Sequence, residues 1–138
     1  MLITVNNTTL QQNNVYKSSL FKNTLPNIST DNVTNTDSYT IIMVDNDAPY
    51  PSNNIYKYYM HLLVVDCNKT IFSYIPPSPP KDSDKHRYII NVYKQTNKIY
   101  DNATNFFKNM VRTGFDLNDF VKKMGLIQVD SFEFYCEP

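Results

Sequence analysis

Four mainly apolar runs of strand length, separated by loops rich in Pro, Asn and Asp, commit this chain to a β-rich core. The first is Ser38-Tyr39-Thr40-Ile41-Ile42-Met43-Val44, seven residues bounded by polar positions. A continuous β-branched run of that length predicts a strand buried on both faces. Residues 58–65, 70–75 and 86–93 repeat the pattern. Two loops stand out between them: residues 45–54, opening Asp45-Asn46-Asp47-Ala48-Pro49, and the Pro-rich residues 76–85. A last strand is predicted over 131–136, where apolar and polar positions alternate.

The first forty residues are polar and Asn/Thr-rich. Their short apolar pieces at 2–5, 15–16 and 20–21 predict edge strands and turns. Helical signals come late. Asp116 is placed as an N-cap, Leu117, Phe120, Val121 and Met124 recur at helical spacing, and Gly125 follows as a stop. A second short helix is expected over 104–110. With 138 residues, the sum is one domain, 1–138, mainly β and sandwich-like, with one or two short helices and a pocket formed by loops at one end.

Composition removes several functions. Thirteen basic side chains against thirteen acidic give no cationic excess for a nucleic-acid backbone. Two glycines in the whole chain exclude the Gly-rich loops that cradle nucleotide phosphates. The abundance of Asn, Lys, Ile and Tyr is the coding bias expected of an AT-rich genome, such as that of a large virus or a parasite. The N-terminus has no signal-peptide pattern, and no segment reaches the ~20 apolar residues of a membrane span, so a cytoplasmic location with at most peripheral membrane contact is expected. Cys67 and Cys136 are too few for a disulfide framework and are expected to be buried thiols in a reducing compartment.

The chemistry-bearing residues gather near the strand ends. Asp45 and Asp47 lie where the first apolar run exits. His61 lies within the second run, where strict alternation places it on one face with Leu63 and Val65. His86 opens the fourth run and shares a face with Tyr88. Because it starts its strand at a loop, His86 is expected to lie outside the core packing. Two His and two Asp suit a metal site, nucleophilic hydrolysis, or an anion pocket held by protonated imidazoles and hydroxyls. No metal-ligand spacing and no Gly-x-Ser-x-Gly elbow is present, and no metal or other cofactor is expected.

Three strings, in order, carry a resemblance. Asp45-Asn46-Asp47-Ala48-Pro49 is similar to the Asp-Pro-Asp-Ala-Pro motif of the phosphatidylethanolamine-binding protein family. Met60-His61-Leu62-Leu63-Val64-Val65 resembles that family's second strand motif, and residues 79–88, ending His86-Arg87-Tyr88, resemble its Gly-Pro-Pro-x-Gly-x-x-His-Arg-Tyr loop. The resemblance implies a pocket for phosphate, acetate or phospholipid head groups. Its positions carry over to Asp45, Tyr56, His61, Pro79, Pro80, His86 and Tyr88, with Tyr59 at the edge and with Asp47 and Arg87 bracing the loops. Two departures mark this chain. Asn46 stands where the family has Pro, which implies a looser turn, and Asp82-Ser83-Asp84 replaces a Gly-x-Gly segment, where a positive φ would be tolerated by Asp. The expected function is a non-enzymatic binding protein for a small anion or phospholipid head group. The alternative is a protein–protein regulator, a kinase or protease inhibitor acting on a signalling partner through these loops.

Overall fold

All four apolar runs become strands of one sheet. The computed structural model describes residues 1–138. The strands are β1 (Leu2–Val5), β2 (Thr8–Thr9), β3 (Val15–Lys17), β4 (Asn27–Ser29), β5 (Ser38–Asp45), β6 (Tyr59–Val65), β7 (Lys69–Phe72), β8 (His86–Gln95) and β9 (Ile127–Glu137). The helices are α1 (Tyr100–Phe106) and α2 (Leu117–Lys123). A six-stranded sheet runs β3-β9-β8-β5-β6-β7, and a three-stranded sheet runs β2-β1-β4. The most apolar strands, β5, β6 and β8, occupy interior positions of the large sheet, as burial on both faces requires.

The core divides into two clusters, one on each face of that sheet. On one face Ile3, Val5 and Phe21 pack against Met43, Leu62, Tyr88, Ile90 and Phe134, closing the sandwich. Phe134 stacks on Phe21 at 5.3 Å and on Tyr88 at 5.6 Å. Leu20 and Phe21 form no strand. They end a 3-10 turn, Ser18–Phe21, whose curvature drives Phe21 fully into the core. On the other face Ile42, Val44, Met60 and Leu63 meet Ala103 and Phe107 after β8 and Leu117 and Phe120 of α2. The sandwich therefore carries a third, helical layer.

Three local expectations need correction. His61 does not share a face with Leu63 and Val65. Met43 pairs with Leu62 but Val44 pairs with Met60, so His61 is the extra residue of a β-bulge. The bulge turns His61 onto the face of Leu62 and Tyr88, while Leu63 and Val65 stay under the helices. Helix α1 starts at Tyr100, ahead of the predicted 104–110. Its first N–H groups, Ile99 and Tyr100, donate to the Asp66 carboxylate at 2.9 and 3.2 Å, a partner from a distant turn. Of the third apolar run only the part to Phe72 is strand; beyond it the Arg112 guanidinium donates to the carbonyls of Met60 and Ser73, and the Ile75 N–H donates to the His61 carbonyl at 2.9 Å.

Helix α2 follows its sequence signals closely. The Asp116 side chain accepts from the Asp119 N–H at 3.0 Å, and Gly125 takes a positive φ of 65°. Asp116→Ala should cost about 1 kcal/mol, read as a lower urea midpoint at unchanged slope. Both cysteines are free, but only Cys136 is buried; Cys67 is half-buried. Burial and the neighbouring Asp45 charge push the Cys136 thiol up to about 12, so it remains protonated.

Candidate functional site

The antiparallel register of the central strands gathers the polar residues at one end of the large sheet. Asp45, the last residue of β5, lies opposite Tyr59 of β6 on one side and Tyr88 of β8 on the other. His86 opens β8 two residues earlier, and the bulge brings His61 beside Tyr88, ring centroids 5.2 Å apart. These side chains line a cavity of about 250 Å³.

Seven of the eight expected ligand positions meet there: Asp45, Tyr56, Tyr59, His61, Pro80, His86 and Tyr88. Pro79 does not, since it is buried in its loop and leaves the wall to Pro80. Ala48, Pro49, Ile75, Pro76 and Ser78 complete the lining. Pro49 and the Pro-rich loop were visible in the sequence as rigid turn elements. Ile75 ends the third apolar run and Ser78 lies in the Pro-rich loop, but neither is among the expected ligand positions.

His86 is 1% exposed and is a core residue, against the expectation from its loop position. Its Nδ1 lies 2.8 Å from Asp45 Oδ2, and its Nε2 lies 2.8 Å from Ser83 Oγ. The Ser83 hydroxyl donates to the Asp84 carbonyl at 2.8 Å, so Ser83 Oγ receives the Nε2–H of His86. On its other side His86 Nδ1 is hydrogen-bonded to Asp45. Both ring nitrogens of His86 are thus engaged within the protein, and His86 has no N–H left for a ligand. Neither Asp82 nor Asp84 takes a positive φ. The replaced segment instead supplies Ser83 as the partner of His86.

His61 is also committed on one side. Its Nδ1–H donates to the Ile75 carbonyl at 2.6 Å. Burial lowers the His61 pKa from its ordinary value, against the raising effects of that bond and of Asp45. The neutral ring therefore carries its hydrogen on Nδ1 and presents a bare Nε2 acceptor. Tyr88 completes the wall: burial, then the Asp45 charge, push its hydroxyl well above the usual tyrosine value, so it stays protonated.

The loop residues brace the site. Asp47 Oδ2 accepts from the Arg87 N–H at 2.8 Å, and the Asp47 N–H donates to Asp45 Oδ1 at 2.8 Å. The Asn46 N–H donates to the Arg87 carbonyl at 2.9 Å, and its amide oxygen accepts from the Arg87 guanidinium. The turn with Asn in place of Pro is thus tied down rather than loosened. Arg87 also faces Glu133, with Nε 3.5 Å from Oε1.

A sheet-end cavity walled by a hydrogen-bonded Asp–His pair, a second imidazole and a buried tyrosine is the candidate site. The chain belongs to the phosphatidylethanolamine-binding protein family, whose model matches residues 4–71 and 66–128. A Drosophila melanogaster relative named for odorant binding (A5) is 40% identical over 68 residues, 44% of this chain and 32% of that protein. The carboxypeptidase Y inhibitor of Saccharomyces cerevisiae is 24% identical over 131 residues, 73% of this chain and 60% of that protein. The matches thus span less than two thirds of the length of these two relatives.

Solved structures agree on the fold. Carboxypeptidase Y inhibitor, solved in complex with its cognate proteinase, superposes with TM-score 0.72 at 22% identity, over 99% of this chain and 81% of that one. A phosphatidylethanolamine-binding protein from Plasmodium vivax gives TM-score 0.69 at 14% identity, over 98% and 84%. No helix is long and apolar enough to cross a membrane.

Proposed function

We propose that this chain is a non-enzymatic binding protein whose sheet-end cavity takes a phosphate monoester or phospholipid head group. The observation that carries the reading is the convergence of Asp45, His61, His86 and Tyr88 on one 250 Å³ cavity. Family membership supports it, since relatives are named for phosphatidylethanolamine binding.

The proton arrangement refines the chemistry. Holding an anion by charged imidazoles does not fit, because Asp45 and Ser83 engage both nitrogens of His86 and burial lowers the His61 pKa from its ordinary value. A phosphoryl oxygen can bond to His61 Nε2 only if a proton lies between them. Either the ligand brings it as a P–OH group, or His61 gains it on binding. Both routes give the same linkage, a complex holding about one more proton than free protein plus dianionic ligand.

The pH window follows. The second pKa of a phosphate monoester is about 6, and His61 titrates below its ordinary 6.5. Above both, affinity for phosphoethanolamine should weaken about tenfold per pH unit, so binding at pH 8 should be about tenfold weaker than at pH 7. Below about pH 6 the dependence should flatten, because the ligand already carries its proton. His61→Gln can offer an amide N–H in place of the proton and should lose most of the slope. Calorimetry across pH 6 to 8 tests this; a flat affinity unaltered by His61→Gln contradicts it.

The second reading is a regulator of a protein partner such as a protease. Its support is the likeness in sequence and fold to carboxypeptidase Y inhibitor. In that reading the 45–54 and 76–85 loops would be the contact surface, and soluble phosphate monoesters would leave the protein unchanged.

A further inference from the structure

The two sheets of the sandwich are unequal, three strands against six, and the small sheet ends at β4 with a free edge. The Ile3 carbonyl is turned to the Leu10 N–H on the β2 side, at 2.9 Å. Backbone groups alternate in direction along an antiparallel strand, so β1 bonds to β4 through Leu2 and Thr4, opposite Ser29 and Asn27. The Ile28 N–H and C=O therefore point away from β1, where no further strand stands. Unpaired backbone groups at a sheet edge are a template for another strand.

A trough runs beside that edge. One cleft of about 590 Å³ is walled by Leu25 and Ile28 and floored by Ile41, Leu62, Val64 and Tyr74. A second, of about 410 Å³, continues from Ile28 to Thr34 and Asp37. Ile28, Ile41 and Cys67 line both, so the trough follows the edge of β4. Ile28, Ile41, Val64 and Tyr74 are only half-buried, and Leu25 is 59% exposed. Neighbouring strands lie about 4.8 Å apart. A strand added beside β4 would thus lie over β6, one step along from β5, and cover this floor.

The lining decides the chemistry of the occupant. Asp37 is the only charged residue in either cleft, and it already accepts from the Thr34 N–H at 2.8 Å and faces Lys94 at 3.6 Å. An elongated, uncharged trough beside unpaired backbone groups suits an extended, uncharged polypeptide, and not the phosphoryl group proposed for the cavity. A second copy of residues 1–138 offers no free terminal strand, because β1 and β9 are interior strands of their own sheets.

We infer that the free edge of β4 binds an extended segment of a partner protein as an added strand. Its apolar side chains, at alternate positions, pack on Ile41, Leu62 and Val64, and those between them face water. The inference is independent of what the cavity binds.

The probe is a phage-displayed library of random decapeptides, panned on the whole protein with phosphoethanolamine present. Enriched peptides should carry apolar residues at every second position. With the best of them, made synthetically, amide shifts should move at Ile28, Ile41 and Val64, and the Ile28 amide proton should exchange at least about tenfold more slowly in the complex. N-methylation scanned along the peptide should weaken binding about tenfold at alternate amides, those facing β4, and leave the amides between them unchanged. Leu25→Asp, an exposed change at the wall, should also weaken it. Panning that enriches nothing, shifts confined to the cavity loops, or an N-methyl scan without a period of two overturns the added strand. Protection of the Ile28 amide that needs no peptide and grows with protein concentration overturns it in favour of a second copy.

Discussion

Replacing His86 by alanine should destabilise the fold by about 3–5 kcal/mol, through an uncompensated buried carboxylate and a cavity beside Tyr88. The loss is large because Asp45 and His86 are both almost fully buried and hold each other at 2.8 Å. For a domain of this length it amounts to a fall in Tm on the order of 10–20 °C. The double variant Asp45→Asn/His86→Ala separates the two causes. Removing the carboxylate charge should recover part of the loss, so the pair should be clearly less than additive. A shift below about 1 kcal/mol for His86→Ala in urea would contradict the placement of this pair in the core.

Asp66→Ala should be comparably severe, about 3–5 kcal/mol, although Asp66 is far from the cavity. Its carboxylate accepts from the Gln95 amide at 2.7 Å and from the backbone N–H groups of Ile99 and Tyr100. Alanine leaves these donors without partners in a buried turn and frees the start of α1. Burial alone would push the Asp66 carboxyl up, but the three donors outweigh it and hold it below its ordinary 3.8. The sign is that of a depressed carboxylate. Its contribution is complete above the unfolded value and is lost as pH falls through the lower folded one. The acid limb of a stability–pH curve should therefore flatten in Asp66→Ala, and loss of α1 should show as faster amide exchange over residues 99–106.

These two residues also show what local reading can reach. The strands were legible because β5, β6 and β8 are apolar on both faces, and α2 because its cap, spacing and stop lie within ten residues of one another. Asp66 caps a helix that begins 34 positions later, a contact that no window along the chain contains. The bulge at His61 leaves no mark either, since the run from Tyr58 to Val65 stays apolar on both sides of it. Asp45, His86 and Tyr88 were placed together because strand alternation and the motif agreed. What the sequence could not show was that Ser83 and Asp45 consume both nitrogens of His86. That depends on a loop folding back, and it changes the chemistry expected of the pocket.

Titration of isotope-labelled protein with phosphoethanolamine, followed by amide chemical shifts, tests the central claim most directly. The account predicts shifts that saturate together at Asp45, Ala48, Tyr59, His61, Ile75, Ser78 and Tyr88, around one cavity. Shifts confined to the wider cleft of about 590 Å³ lined by Leu25, Ile28, Ile41 and Val64, or no shifts at all, would contradict it.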